Sequence, residues 1–106
     1  MKTITMIACA GVLLHGASFA QQPTDADLRS AAVLASNCAN CHGTIGNAQG
    51  AMPSLAGQQK NYIVDQMRAF REGKRTATIM HQLSKGYTDQ QIESIADFFS
   101  RQKAAR

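Results

Sequence analysis

The chain has 106 residues, a formal net charge of +4, no tryptophan and 6% aromatic residues. That length holds one domain, and a domain of this size buries only roughly 60% of the surface its unfolded chain exposes. Such a core needs help from a disulfide, a metal or a large apolar group, and so small a basic excess argues against nucleic acid as a partner.

Met1-Lys2-Thr3 is a short basic start, and Ile4 to Leu14 is an apolar run of the kind that precedes a cleavage site. Ser18 and Ala20 put small residues at its end, the layout of a secretory signal peptide cleaved after Ala20. The expectation is therefore a signal at 1–20, a domain at 21–106 and export to the bacterial periplasm. Cleavage removes Lys2, Cys9 and His15, leaving a charge of +3, Cys38 and Cys41, and His42 and His81. The run is short for a membrane span and no other is long enough, so no stable membrane insertion is expected after cleavage.

Thr24 can cap a first helix, with Asp27 in the capping-box position. Asp25 to Asn37 is alanine-rich, with Leu28, Ala31, Ala32 and Ala35 expected on one inward face. The helix leads into Cys38-Ala39-Asn40-Cys41-His42, which reads C-x-x-C-H. This is the attachment pattern of c-type haem. Two thiols three positions apart lie on one side of a helical turn and can add to the two vinyl groups along one haem edge. His42 is then carried beneath the ring, where its imidazole can bind iron. A redox dithiol would follow a strand in a βαβ setting, and none precedes Cys38. A zinc site would need a second Cys or His pair. A short disulfide is compatible with export but leaves His42 without a role.

Gly43 to Gly57, with Gly46, Gly50 and Pro53, reads as a loop at the haem edge; it lacks the Lys-Ser/Thr and the preceding strand of a phosphate loop. A second helix is expected from about Gln58 to Glu72, with Tyr62, Ile63, Gln66, Met67 and Phe70 inward and Gly73 ending it. A last helix begins at Thr88, with Gln91 three residues on, and carries Ile92, Ile95, Ala96 and Phe99 at core spacing. Its packing partner is the first helix, whose alanines permit close approach. The fold class is all-α, with three main helices around one haem.

Met52, Met67, Met80 and His81 are the candidates for a second iron ligand. Met67 shares a helical stripe with Ile63 and Phe70 and reads as core. Met52 lies ten residues after His42, with little chain to turn around the ring. Met80 lies beyond the helix breaker Gly73 and before the last helix, where a loop can present its thioether to the far face. Sulfur opposite imidazole favours reduced iron, and a filled sixth position blocks small ligands. Both suit electron transfer and not catalysis.

With these residues placed, the chain resembles the class I cytochromes c along nearly the full length after the signal. Within that family it is similar to the cytochrome subunits of flavocytochrome c sulfide dehydrogenases. The likeness rests on Met52-Pro53-Ser54-Leu55-Ala56-Gly57-Gln58, Tyr62-Ile63-Val64, Gln66-Met67-Arg68-Ala69-Phe70, Gly73-Lys74-Arg75, Ala77-Thr78-Ile79-Met80 and Lys85-Gly86-Tyr87-Thr88-Asp89. The resemblance implies first and last helices crossing beside the haem, His42 and Met80 as iron ligands, and Pro53 as the residue whose carbonyl accepts the His42 ring N–H. It also implies an FAD-containing flavoprotein partner that oxidises sulfide and passes electrons to the haem. Some members carry two haem domains; this chain has one C-x-x-C-H.

The residues themselves leave three roles open: haem subunit of such a dehydrogenase, free diffusible shuttle carrying electrons to a terminal oxidase or reductase, or ligand sensor or enzyme with an open sixth site. No dinucleotide fingerprint or acid–base pair is present, so the chain is expected to be no enzyme by itself. Arg68, Arg71, Lys74, Arg75, Lys85, Arg101, Lys103 and Arg106 form either a ring that steers an acidic partner or a solvated face. Arg75 and Tyr62 are candidates to meet a haem propionate.

Overall fold

The computed structural model describes residues 24–106, so the signal expected at 1–20 lies outside the described residues. Helix α1 spans Asp25–His42. Thr24 starts it through a capping box: its hydroxyl accepts the Asp27 backbone N–H at 3.3 Å, and the Asp27 carboxylate accepts the Thr24 N–H at 3.0 Å. Hydrogen bonding to Thr24 holds the Asp27 carboxyl below its ordinary range. The helix continues past the alanine-rich run, so that Cys38, Cys41 and His42 all ride on its last turns.

The inward stripe of α1 is Ala31 and Ala35, 7% and 2% exposed. Leu28, expected on the same face, is 42% exposed. It sits in the first turn, where α1 overhangs a shallow groove edged by Glu93 and Asp97 of the last helix.

Helix α2 spans Lys60–Arg71 and buries Ile63, Val64 and Met67. It begins at Lys60, two residues after the expected Gln58, and its N-cap, Gln59, offers no side-chain cap. It ends in a Schellman motif: the Lys74 N–H donates to the Ala69 carbonyl at 2.9 Å and the Gly73 N–H to that of Phe70 at 3.1 Å. Gly73 has a φ of 73°, the left-handed conformation this stop requires.

The segment before the last helix, expected as a loop, contains helical structure. Met80–Leu83 forms a four-residue helix, α3, followed by a 3-10 turn at Ser84–Gly86. So short a run shows no helical period and is unstable alone; packing against α2 sustains it.

Helix α4, Asp89–Ser100, is capped by Thr88 with Gln91 in the reciprocal position. Ile92, Ile95, Ala96 and Phe99 are each no more than 1% exposed. Both α1 and α2 pack on this helix, and Ala35 and Ala96 share one buried cluster with Ile63, Val64 and Met67. Across the α2–α4 surface, Arg71 reaches Asp89 at 2.6 Å and Arg68 reaches Glu93 at 3.3 Å. Among the described residues there is no strand, as expected for an all-α fold.

The loop between α1 and α2 is fastened to α4. The Gly46 carbonyl accepts the N–H groups of Leu55 and Ala56 at 2.7 and 3.0 Å, and the Gly57 N–H donates to the Phe99 carbonyl at 3.0 Å. Gly46 has a φ of 84°, and a Cβ there would lie 2.6 Å from Phe99 Cδ1 and 2.8 Å from the Ala56 nitrogen. Only glycine fits, because the loop backbone lies directly on the Phe99 ring.

Candidate functional site

The end of α1 delivers Cys38, Cys41 and His42 to a cleft of ≈ 270 Å³. Met52, Pro53 and Leu55 contribute from the loop, Ile63, Met67 and Phe70 from α2, and Ile79, Met80 and Leu83 from the region of α3. The surroundings are those of an apolar guest with one reactive edge. Cys38 and Cys41 are both free, Cys38 half-buried and Cys41 exposed. Burial pushes the Cys38 thiol up from its ordinary range. It is therefore a thiol at neutral pH, which is unlike the activated thiolate of a redox dithiol.

His42 is 7% exposed, and its Nδ1 lies 2.7 Å from the Pro53 carbonyl oxygen. With the proton on Nδ1, the N–H donates to Pro53 and the Nε2 lone pair is left for a metal. The loop holds that carbonyl in place. The Ala48 N–H donates to Ser54 Oγ at 3.0 Å, and the two N–H groups after Ser54 bond Gly46. A bond that the sequence reading took from family resemblance is thus present in the structure.

Of the four candidates for a second ligand, Met52, Met67 and Met80 line the cleft and His81 does not. Met67 is 6% exposed within the core cluster, in agreement with its helical stripe, whereas Met52 is 42% exposed. Met80 is half-buried, and Ser84 Oγ–H donates to its carbonyl at 2.6 Å. This last contact has no signal in the sequence.

The donor set can be tested against an iron porphyrin. Among the described residues no group of three or more His, Cys, Asp or Glu could hold a metal. His42 and the methionines around the cleft would supply the protein's donors to its iron. A porphyrin would bring the remaining donors itself, and the thiols of Cys38 and Cys41 would bond its edge. The residues fit. Among the described residues, the one lysine or arginine that lines the cleft is Arg75, stacked 4.7 Å from the Phe70 ring centre and hydrogen-bonded to Gln66 Oε1. Tyr62, expected to face inward, lines the cleft but is 49% exposed, placing it at the mouth.

Half of the eight residues of the basic ring are tied to the protein's own acids. Besides the Arg68 and Arg71 pairs, Lys74 meets Glu72 at 2.6 Å and Arg101 meets Asp97 at 2.9 Å.

No helix among the described residues is long and apolar enough to cross a membrane. Residues 28–103 match the cytochrome c family. The chain is 42% identical over 67 residues to the cytochrome subunit of sulfide dehydrogenase from Chlorobaculum tepidum, covering 63% of this chain and 61% of that one. It is 30% identical over 107 residues to a thiosulfate dehydrogenase electron acceptor from Thiomonas intermedia, covering 97% of this chain and 45% of the relative. A solved cytochrome c4 from Acidithiobacillus ferrooxidans superposes with a TM-score of 0.64 at 31% identity, covering 72% of this chain and 49% of that one. The chain thus spans between about two fifths and three fifths of the length of these relatives. The match takes in the C-x-x-C-H segment, the loop over His42 and all of α2 to α4, and the chain belongs to the cytochrome c family, whose members bind haem c and its iron covalently; Cys38 and Cys41 fit the attachment motif.

Proposed function

We propose that this protein is a one-haem, periplasmic electron carrier whose iron is held between His42 and Met80, and that it accepts electrons from a sulfide-oxidising flavoprotein. The observation that carries the ligand assignment is the cleft itself. It has an imidazole oriented by Pro53, with the two thiols beside it, and of its three methionines Met67 is held in the core and Met52 is exposed on the loop, which favours the Met80 thioether from α3. Haem supplies a one-electron iron couple. The chain does the rest. Cys38 and Cys41 tether the ring, and Pro53 fixes the His42 tautomer and raises the basicity of its free nitrogen. Met80 closes the remaining face to small ligands and favours the reduced state. Arg75, with Gln66, offers charge-assisted donors to a propionate.

The sulfide-linked role rests on the likeness to the Chlorobaculum subunit. In a flavoprotein partner of this chain, the flavin would take two electrons from sulfide and release them singly to this haem. The test is a pull-down of the tagged holoprotein from its host, with flavin fluorescence measured on what is retained. Co-retention of a flavoprotein is expected, and isolation of the cytochrome alone from sulfide-grown cells refutes the subunit role. A second reading, a diffusible acceptor for another dehydrogenase, draws on the Thiomonas relative. It predicts transient binding that weakens as salt rises.

A further inference from the structure

We propose that Ser84 is a positioning residue for the Met80 thioether, setting how readily that ligand leaves the iron. The proposal rests on Met80 as the sixth ligand and goes beyond it by naming what keeps the ligand in place.

Met80 is the first residue of a four-residue helix whose N-cap, Ile79, makes no side-chain cap. Such a helix has no stability of its own. Its backbone is gripped at the other end by one residue. The Met80 carbonyl accepts both the backbone N–H and the hydroxyl of Ser84, the latter at 2.6 Å. Both lone pairs of that oxygen are thus used by the same neighbour. Ser84 is 0% exposed, and among the described residues it and His42 are the buried polar side chains. Its Oγ also lies 3.7 Å from Sδ of Met67, which α2 holds inside the core cluster.

The hydroxyl has one proton, and the short contact to oxygen takes it. The methionine sulfur is then a packing neighbour of Oγ. The chain of contact runs from α2 through Met67 and Ser84 to the backbone of Met80. Lifting Met80 off the iron by moving α3 strains that link, and a serine buried so completely finds no water to replace the bond. Deleting the hydroxyl leaves the Ser84 backbone N–H on the Met80 carbonyl, so α3 loosens without unfolding.

The experiment compares holoprotein of wild type, Ser84→Ala and Ile92→Val. Ile92 is equally buried, in α4, and does not line the cleft, so its variant controls for general loss of stability. Imidazole is titrated into ferric protein while the methionine–iron charge-transfer band in the red is followed. Loss of one buried hydrogen bond predicts that Ser84→Ala binds imidazole on the order of fivefold more tightly. Ile92→Val should lower the melting temperature but leave imidazole affinity at the wild-type value. Unchanged affinity in Ser84→Ala, or an equal rise in both variants, overturns the proposal. If wild type lacks the methionine–iron band altogether, the ligand assignment itself has failed, and the failure is separate from any effect of Ser84.

Discussion

Gly46→Ala tests whether the loop that carries Pro53 is a fixed part of the core. The substitution forces a side chain onto a φ of 84°, which costs about 1–2 kcal/mol for an L-residue. It also drives a Cβ to 2.6 Å from Phe99 Cδ1 and 2.8 Å from the Ala56 nitrogen. Neither neighbour can retreat cheaply. Phe99 is 0% exposed, and the Ala56 N–H is bonded to the Gly46 carbonyl. Overpacking of this kind adds about 1–3 kcal/mol, for a total of roughly 2–5 kcal/mol. Gly50→Ala is the internal control. Its φ is 66°, but nothing lies within 4 Å of the added Cβ, so only the conformational part of the cost applies. Guanidinium unfolding of both holoproteins, followed by circular dichroism, gives the two stabilities. The difference between the variants should be about 1–3 kcal/mol, with Gly46→Ala the weaker. Equal midpoints at equal slope would show that the loop yields freely, and would refute its role as a rigid support for the Pro53 carbonyl.

Met80→Ala should keep haem attached while lowering the reduction potential and letting the ferrous protein bind carbon monoxide, which voltammetry and absorption spectra will show. Cys41→Ala should impair attachment and with it folding, because haem supplies much of the core; a folded, protease-resistant apoprotein would contradict this. Thr88→Ala removes the α4 cap, in which the Thr88 hydroxyl accepts the Gln91 N–H at 3.2 Å, and should cost about 1 kcal/mol in denaturant unfolding. The carboxyls of Asp89 and Glu72 are held below their ordinary range, Asp89 by its hydrogen bond to Arg71 and Glu72 by that to Lys74. A depressed folded-state pKa contributes stability that is complete above the ordinary carboxylate value and is lost as pH falls through the folded one. Melting temperature should accordingly hold steady from pH 7 to about 5 and decline below about 4, less steeply in Asp89→Asn.

What the sequence revealed follows from which interactions are local. The capping boxes Thr24–Asp27 and Thr88–Gln91 each lie within four residues, and both are present. The α4 stripe is legible because its period matches a helix, and the C-x-x-C-H segment is legible because attachment chemistry dictates its spacing. Leu28 shows the limit of periodicity. It lies on the correct side of α1 but one turn beyond the reach of the core. The bond from His42 to Pro53 spans eleven residues of glycine-rich loop, and only family likeness pointed to it. Helix α3 is too short for a pattern, and Ser84 looks like any loop serine until its burial is seen. The pairing of the basic residues is hidden for the same reason: the carboxylates that meet Arg68 and Arg71 arrive from α4, 18 to 25 residues along the chain.

The account stands on haem bonded to Cys38 and Cys41 with Met80 opposite His42. The most direct measurement is one purified sample of exported protein, its intact mass recorded after acid denaturation and its ferric absorption spectrum before. The expected result is the chain plus one haem that denaturation does not release, together with the methionine–iron band in the red. A bare chain with thiols free or joined to each other would contradict the first half of the claim, and a bound haem without that band would contradict the second.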